Sequence, residues 1–156
     1  LSLETSRAGA VVLNSGLSMI RPDVCLVNEH ALGRELSSAT DEDTCVVFDF
    51  SRYRRNSITA ARALADLGVD IVAITDGALS PLAALTKSWC ELRIPAVGPF
   101  DSSIPSVLAA ELLVARVVQL LGAQAHQRID RLEELWQTTD TFLNYSPRRS
   151  RGHVDQ

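Results

Sequence analysis

Residues 46–75 read VVFDFSRYRRNSITAARALADLGVDIVAIT. An apolar run, beginning at Thr44 and ending at Phe50, breaks into a loop crowded with arginine. A helical pattern follows over residues 57–68, and Gly68 stands where a helix commonly stops. A second apolar run, residues 69–75, comes directly after. A strand, a helix and a strand in that order form one crossover unit. Its strands are parallel, and the connection is right-handed. Strands that are apolar almost throughout suit a sheet covered on both faces.

The same alternation continues outward. Residues 2–20 carry Ala10, Leu13, Leu17 and Ile20 at helical spacing. Residues 23–27, DVCLV, read as a strand, and 29–36, EHALGREL, as a short helix. Downstream, SPLAALT (80–86) offers Ser80 as a cap and Pro81 at the first helical position, which predicts a short helix. SWCELRIP (88–95) reads as a fourth strand. Residues 104–122 predict a long apolar helix ended by Gly122. Residues 127–143 predict an amphipathic one, with Ile129, Leu132, Leu135, Trp136, Thr139 and Phe142 on one face. The expected fold is α/β: a three-layer, doubly wound parallel sheet over residues 1–143, with 144–156 a polar tail. Such sheets usually begin with a strand, often near the centre. The first strand of this one is expected upstream of Leu1.

The 156 residues suit one domain, and 46% hydrophobic with 22% charged residues is ordinary for a globular chain. A net charge of −4 argues against a direct grip on nucleic acid. Cys25, Cys45 and Cys90 form no C-x-x-C pair and are expected as buried free thiols. His30, His126 and His153 lie far apart, so no metal site and no cofactor is expected. No signal peptide is evident, and no apolar run is read as approaching the roughly 18 residues of a membrane span. A soluble, cytoplasmic protein without membrane contact is expected.

Ligands of open parallel sheets bind beyond the carboxyl ends of the strands. Residues 1–5, 51–57 and 75–80 fall there. Helix N-termini present unsatisfied amides that attract anions, hydroxyls add hydrogen bonds, and arginine adds a planar fork. Ser51, Arg52, Tyr53, Arg54, Asn56 and Ser57 are therefore candidate ligands of a small anion. In the other reading, Asn56 or Ser57 caps the next helix and the arginines pair with acids or a partner subunit. Asp76 and Ser80 read better as caps. Glu111, a carboxylate among apolar residues, is a candidate base, a solvent-facing residue or a partner of Arg116.

The run VVFDFSRYRRNSITAARALADLGVDIVAITDGALSPLA, together with PFDSSIPSVLAAELLVA, resembles the sugar isomerase (SIS) domain. More narrowly it resembles the effector domain of RpiR-type transcription regulators. The resemblance implies a flavodoxin-like parallel sheet of five strands that binds phosphosugars. It also implies a helix-turn-helix domain upstream that supplies DNA binding, while the long apolar helix and the amphipathic helix after it offer surface for a homodimer or higher homo-oligomer. Family members carry G-x-G-x-S after the first strand, where Ser2 could be the last residue. They carry S-x-S-G-x-T after a later strand. Here that motif reads SRYRRN: Ser51 matches, while Tyr53, Arg54 and Asn56 replace serine, glycine and threonine. An arginine in place of the glycine argues against a left-handed backbone there, so the phosphate cradle is expected to rely on guanidinium. The expected function is effector sensing without catalysis. The alternatives are a sugar-phosphate isomerase using Glu111 or a histidine, and a dimerisation module without ligand.

Overall fold

The structure, a computed structural model, describes residues 6–28 and 31–143. Ser2, His30, His153 and the expected tail 144–156 lie outside the described residues. Helices α1 (Arg7–Ile20) and α2 (Leu32–Leu36) lead into β1 (Thr44–Phe48), α3 (Arg55–Asp66), β2 (Asp70–Thr75) and β3 (Ser88–Glu91). A hairpin of β4 (Ala96–Val97) and β5 (Phe100–Asp101) precedes α4 (Ile104–Leu121) and α5 (Ala123–Thr138).

β1, β2 and β3 form a parallel sheet in that order, with Phe48 opposite Ile74 and Ile74 opposite Cys90. The crossover read from residues 46–75 is present. Gly68, at φ 88°, ends α3. Its amide donates to Ala65 O, and the next amide, Val69 N, reaches back to Leu64 O at 3.1 Å. That double bond pattern needs a left-handed residue, which glycine supplies without a Cβ clash.

Side chains alternate across the sheet and build two cores. Val47, Ile71 and Ala73 meet Ala60, Ala61 and Leu64 of α3, with Leu32 and Leu36 of α2 at the margin. Phe48 and Ile74 face the other way, onto Ala10 and Leu13 of α1 and Ala110 of α4. The architecture is three-layered. Helices α1 and α4 approach each other closely. A Cβ on Gly9 would stand 2.8 Å from Ser106 O and 2.9 Å from the Phe48 ring, and one on Gly16 would stand 2.7 Å from Val114.

Several expectations are corrected. Residues 23–27 join no strand ladder among the described residues, and Asp23 stands at a left-handed φ of 57°. SPLAALT forms successive turns instead of a helix. The Ser80 hydroxyl accepts from Leu82 N at 3.2 Å, and Leu85 N closes back on Leu82 O at 2.9 Å, three residues away. Local hydroxyl bonds of this kind compete with helical ones. Cys25 and Cys90 are exposed, because one sits in the unladdered segment and the other on the outermost strand; all three thiols are free. The face expected on the last helix is not buried in this chain. Leu135 and Phe142 are exposed, and Trp136 meets Phe142 edge-to-face at 5.4 Å.

Helix α4 does reach membrane-spanning length and composition, with 18 residues and a mean hydropathy of 1.8. Glu111 and Arg116 interrupt it, and its Ala110, Leu113 and Val114 side packs into the core. Its other side exposes Ile104, Leu108, Leu112 and Leu120.

The tight α1–α4 contact sets a test. Gly9→Leu is expected to lower stability by about 1–3 kcal/mol, because backbone and a buried ring must move to admit it. Urea unfolding measures this, and a loss below about 0.5 kcal/mol would contradict the close approach.

Candidate functional site

At the carboxyl rim of the sheet lies a cavity of about 310 Å³. Its walls come from Asp49, Phe50, Ser51, Arg52 and Arg54 after β1, Ser6 ahead of α1, Ile94, Asp101 and Ser102 around the hairpin, and Ser106 of α4. Parallel pairing delivers the ends of β1 and β2 together. Asp49 N donates to Ile74 O at 3.2 Å, so the ladder runs on to the rim.

Two carboxylates shape the loop. Asp49, only 5% exposed, accepts from its neighbour Phe50 N at 3.1 Å and from Arg54 N at 3.2 Å. It thus sits at the start of α3, where an anion is favoured. Desolvation by burial pushes its pKa above the ordinary 3.8. The amides of Arg54 and Phe50 and the nearby Ser57 hydroxyl pull it down, and Asp76 pushes it further up. Ser57 is fully buried. Its hydroxyl lies near enough to favour the Asp49 carboxylate, but its Oγ completes no hydrogen bond of normal geometry.

Asp76 caps no helix. It accepts from Ser51 N at 2.9 Å and from the Tyr53 hydroxyl at 2.5 Å. Burial, then this hydrogen bond, raises the Tyr53 pKa, which keeps the phenol a donor. Ser80 serves its own turn: Thr75 Oγ1 donates to it at 2.7 Å.

Of the sequence-predicted ligands, Ser51, Arg52 and Arg54 line the cavity. Tyr53, Asn56 and Ser57 are not among its lining residues. Tyr53 braces the loop, while Asn56 and Ser57 fall inside the first turn of α3 and cap nothing. Ser2 lies outside the described residues. Glu111 is exposed on α4 and does not reach the cavity, and Arg116 donates to Gln119 at 3.1 Å. The positive φ falls on Arg52, at 71°, and not on Arg54, which is extended at φ −84°, ψ 129°. An arginine in the family's glycine place therefore costs nothing in backbone strain. The strained residue two places earlier is tied down by an ion pair, Arg52 Nη2 to Asp101 Oδ2 at 2.7 Å. Arg52 is 81% exposed, so the pair orients the loop more than it stabilises it.

Sequence reasoning missed Asp49, Asp101, Ser6, Ser102 and Ser106. Asp49 had a signal, since it is the one charge in an apolar strand. Asp101 had none, because it reaches Arg52 from 49 residues away.

Two tests follow. Asp76→Ala removes acceptors from Ser51 N and Tyr53, and is expected to cost about 1–3 kcal/mol. Tyr53→Phe should cost less, and urea unfolding separates the two. For Asp49, the folded pKa is raised, so the folded state binds the proton more tightly than the unfolded chain. That contribution is complete below pH 3.8 and is lost as pH rises through the folded value. The stability of the native chain relative to Asp49→Asn should therefore fall as pH rises from about 4 towards neutrality. Parallel pH profiles would contradict the assignment.

Comparison with known proteins gives a consistent result. Among proteins of curated function, none matches the chain in sequence. Solved structures do match. The sugar isomerase domain of an RpiR transcription factor from Sphaerobacter thermophilus superposes with a TM-score of 0.77 at 24% identity, over 85% of this chain and 75% of that one. The Vibrio vulnificus NanR protein, solved with ManNAc-6P, gives 0.68 at 17% identity over 85% of this chain and 53% of its own. A candidate sugar-phosphate isomerase from Listeria monocytogenes gives 0.70 at 16% identity, over 81% and 71%. These likenesses establish a shared fold. The SIS domain model matches residues 10–117, well over half of the chain. The chain belongs to the SIS domain family.

Proposed function

We propose that this chain is the effector-sensing and dimerisation domain of an RpiR-type bacterial transcription regulator, and that it binds a sugar phosphate or a similar small anion at the rim cavity. The observation that carries this reading is the cavity itself. The Arg52 and Arg54 side of the loop meets Ser6, Ser51, Ser102 and Ser106 at the start of two helices, at the strand ends where such sheets bind ligands. Hydroxyl groups suit a polyol, and a guanidinium suits a phosphate. The NanR structure, which holds an N-acetylmannosamine phosphate, supports that ligand class by analogy.

The charges in the cavity tune this binding. Arg52 is already paired with Asp101, so an incoming anion competes with that carboxylate. Asp49 repels an anion when ionised and stops doing so when protonated. The exposed stripe of α4, Ile104, Leu108 and Leu112, fits a second copy of the chain. A ligand that binds two arrangements of the dimer unequally would then shift them, which moves DNA-binding domains carried upstream. The setting is cytoplasmic.

A second reading, a sugar-phosphate isomerase, is favoured by one observation: Asp49 is a buried carboxylate of raised pKa inside the cavity. Interconversion of aldose and ketose phosphates, abolished in Asp49→Asn, would establish it.

The test is thermal shift against inorganic phosphate, pentose phosphates, hexose phosphates and N-acetylamino-sugar phosphates. A binder should raise Tm in proportion to the logarithm of its concentration. Arg54→Ala should then weaken binding by about 10- to 100-fold, the usual worth of a charge-assisted bond. Binding should tighten as pH falls towards Asp49 protonation, and Asp49→Asn should flatten that dependence. No shift with any of these at millimolar concentration would defeat the sensing reading.

A further inference from the structure

The rim cavity is graded from floor to mouth. Its buried lining residues are Ser6, Asp49 and Ser106, at 3%, 5% and 1% exposure, while Arg52 and Asp101 are exposed. The floor is rich in acceptors. Ser106 Oγ donates its proton to Ser103 O at 2.8 Å, so it has only lone pairs left to offer. The Asp49 carboxylate accepts Phe50 N on Oδ1 and Arg54 N on Oδ2. An ionised carboxylate has about four acceptor positions, so roughly half of them stay open. Among the described residues no cationic side chain pairs with Asp49.

The charges on the lining explain why that matters. Two arginines, Arg52 and Arg54, face two aspartates, Asp49 and Asp101. With both acids ionised these cancel, and Asp76 adds negative charge near Asp49. An entering phosphate therefore meets no surplus of positive charge. A capping role at the start of α3 accounts for the two amide bonds of Asp49. It does not account for a buried acid set on a cavity wall with acceptor positions open, since burial of a charge without a counter-charge is costly.

We propose that the cavity floor, Asp49 with Ser106, is a subsite for a protonated amine, and that the ligand is an amino sugar phosphate with its ammonium inward and its phosphate towards Arg52 and Arg54. The subsite deepens the sensing role proposed above and rests on it. An ammonium has three donors and no acceptor, which suits a floor of acceptors. One donor meets an Asp49 oxygen and one meets Ser106 Oγ, and Ser6 lines the same floor. The match discriminates between sugars that differ only at the amine. A hydroxyl in its place brings one donor and no charge. An N-acetyl group removes the charge and adds bulk. A hard metal ion fits less well, because it needs about six oxygen ligands. Asp49 is the single carboxylate on the floor, and no group of three metal-binding side chains occurs among the described residues.

The test titrates the whole chain calorimetrically with matched amino, hydroxyl and N-acetyl sugar 6-phosphates of the gluco, manno and galacto series, near neutral pH. In at least one series the amino form should bind about tenfold or more tighter than both counterparts, the effect of one charge-assisted pair. The ratio of amino to hydroxyl affinity cancels the phosphate titration that both share. The charged and titratable groups around Asp49 are Asp76 after β2 with its partner Tyr53, Arg54 at the start of α3, and Arg52 with Asp101; the α1 and α4 ends bring only hydroxyls to the cavity. Pairing needs ionised Asp49, whose pKa is raised, so the ratio should grow as pH rises from about 4 to 7, a range in which the amine stays protonated. In Asp49→Asn the ratio should fall to about one at every pH. If that variant does not fold, the pH profile of the native chain decides. Equal or weaker binding of the amino form in every series would leave Asp49 a cap only and overturn the subsite, while the sensing role stands on whichever hydroxyl or N-acetyl form binds. An amino preference that persists in Asp49→Asn, or that does not change with pH, would overturn it too. Binding by none of the compounds at millimolar concentration would defeat the sensing role and the subsite together.

Discussion

Parallel pairing of β1 with β2 is the constraint from which the site follows. Parallel strands need a crossover, so both must end at the same rim and both must hand the chain to a loop there. The register carries Asp49 and Asp76 just past the paired residues Phe48 and Ile74. The two carboxylates then hold opposite sides of one loop. Asp49 takes the amides of Phe50 and Arg54, and Asp76 takes the amide of Ser51 and the phenol of Tyr53. The loop that lines the cavity is thus set by acids, although its sequence is conspicuous for bases.

That arrangement decides how the proposed site would hold an anion. A cradle built from glycine and backbone amides offers partial charges that cost nothing to keep unoccupied. Here one set of such amides is already satisfied by Asp49, and Arg52 is already satisfied by Asp101. Any anion that enters must therefore add to or displace a bond that exists without it. Its net gain is the difference between two similar interactions, which favours modest affinity and strong dependence on ligand shape. Under the proposed sensing role, the hydroxyls of Ser6, Ser51, Ser102 and Ser106 would then discriminate between sugars.

The crossover was legible in residues 46–75 because period, length and the Gly68 stop all agree. The cavity-lining role of Ser51, Arg52 and Arg54 was legible too, since position after an apolar strand decides it. Other features depended on contacts that no local pattern records. Asn56 and Ser57 look like caps, but Asp49 reaches the helix start first, so they become ordinary first-turn residues. SPLAALT has helix punctuation, yet the Thr75–Ser80 hydroxyl bond winds it into turns. The hairpin that delivers Asp101 is two short strands around Gly98 and carries almost no periodic signal.

The strand signal of residues 23–27 is the informative mismatch. DVCLV has the composition of a buried strand, and Leu26 and Val27 do enter opposite layers. Among the described residues it joins no ladder. A sequence carrying a strand's pattern normally has a ladder to join, because unpaired backbone groups beside an apolar core are costly. The same reasoning applies to α4, whose outer stripe of Ile104, Leu108 and Leu112 is as apolar as its inner one. Patterning records the burial that selection has seen. On α4's outer face apolar pattern and exposure disagree, and the second copy proposed above would cover it.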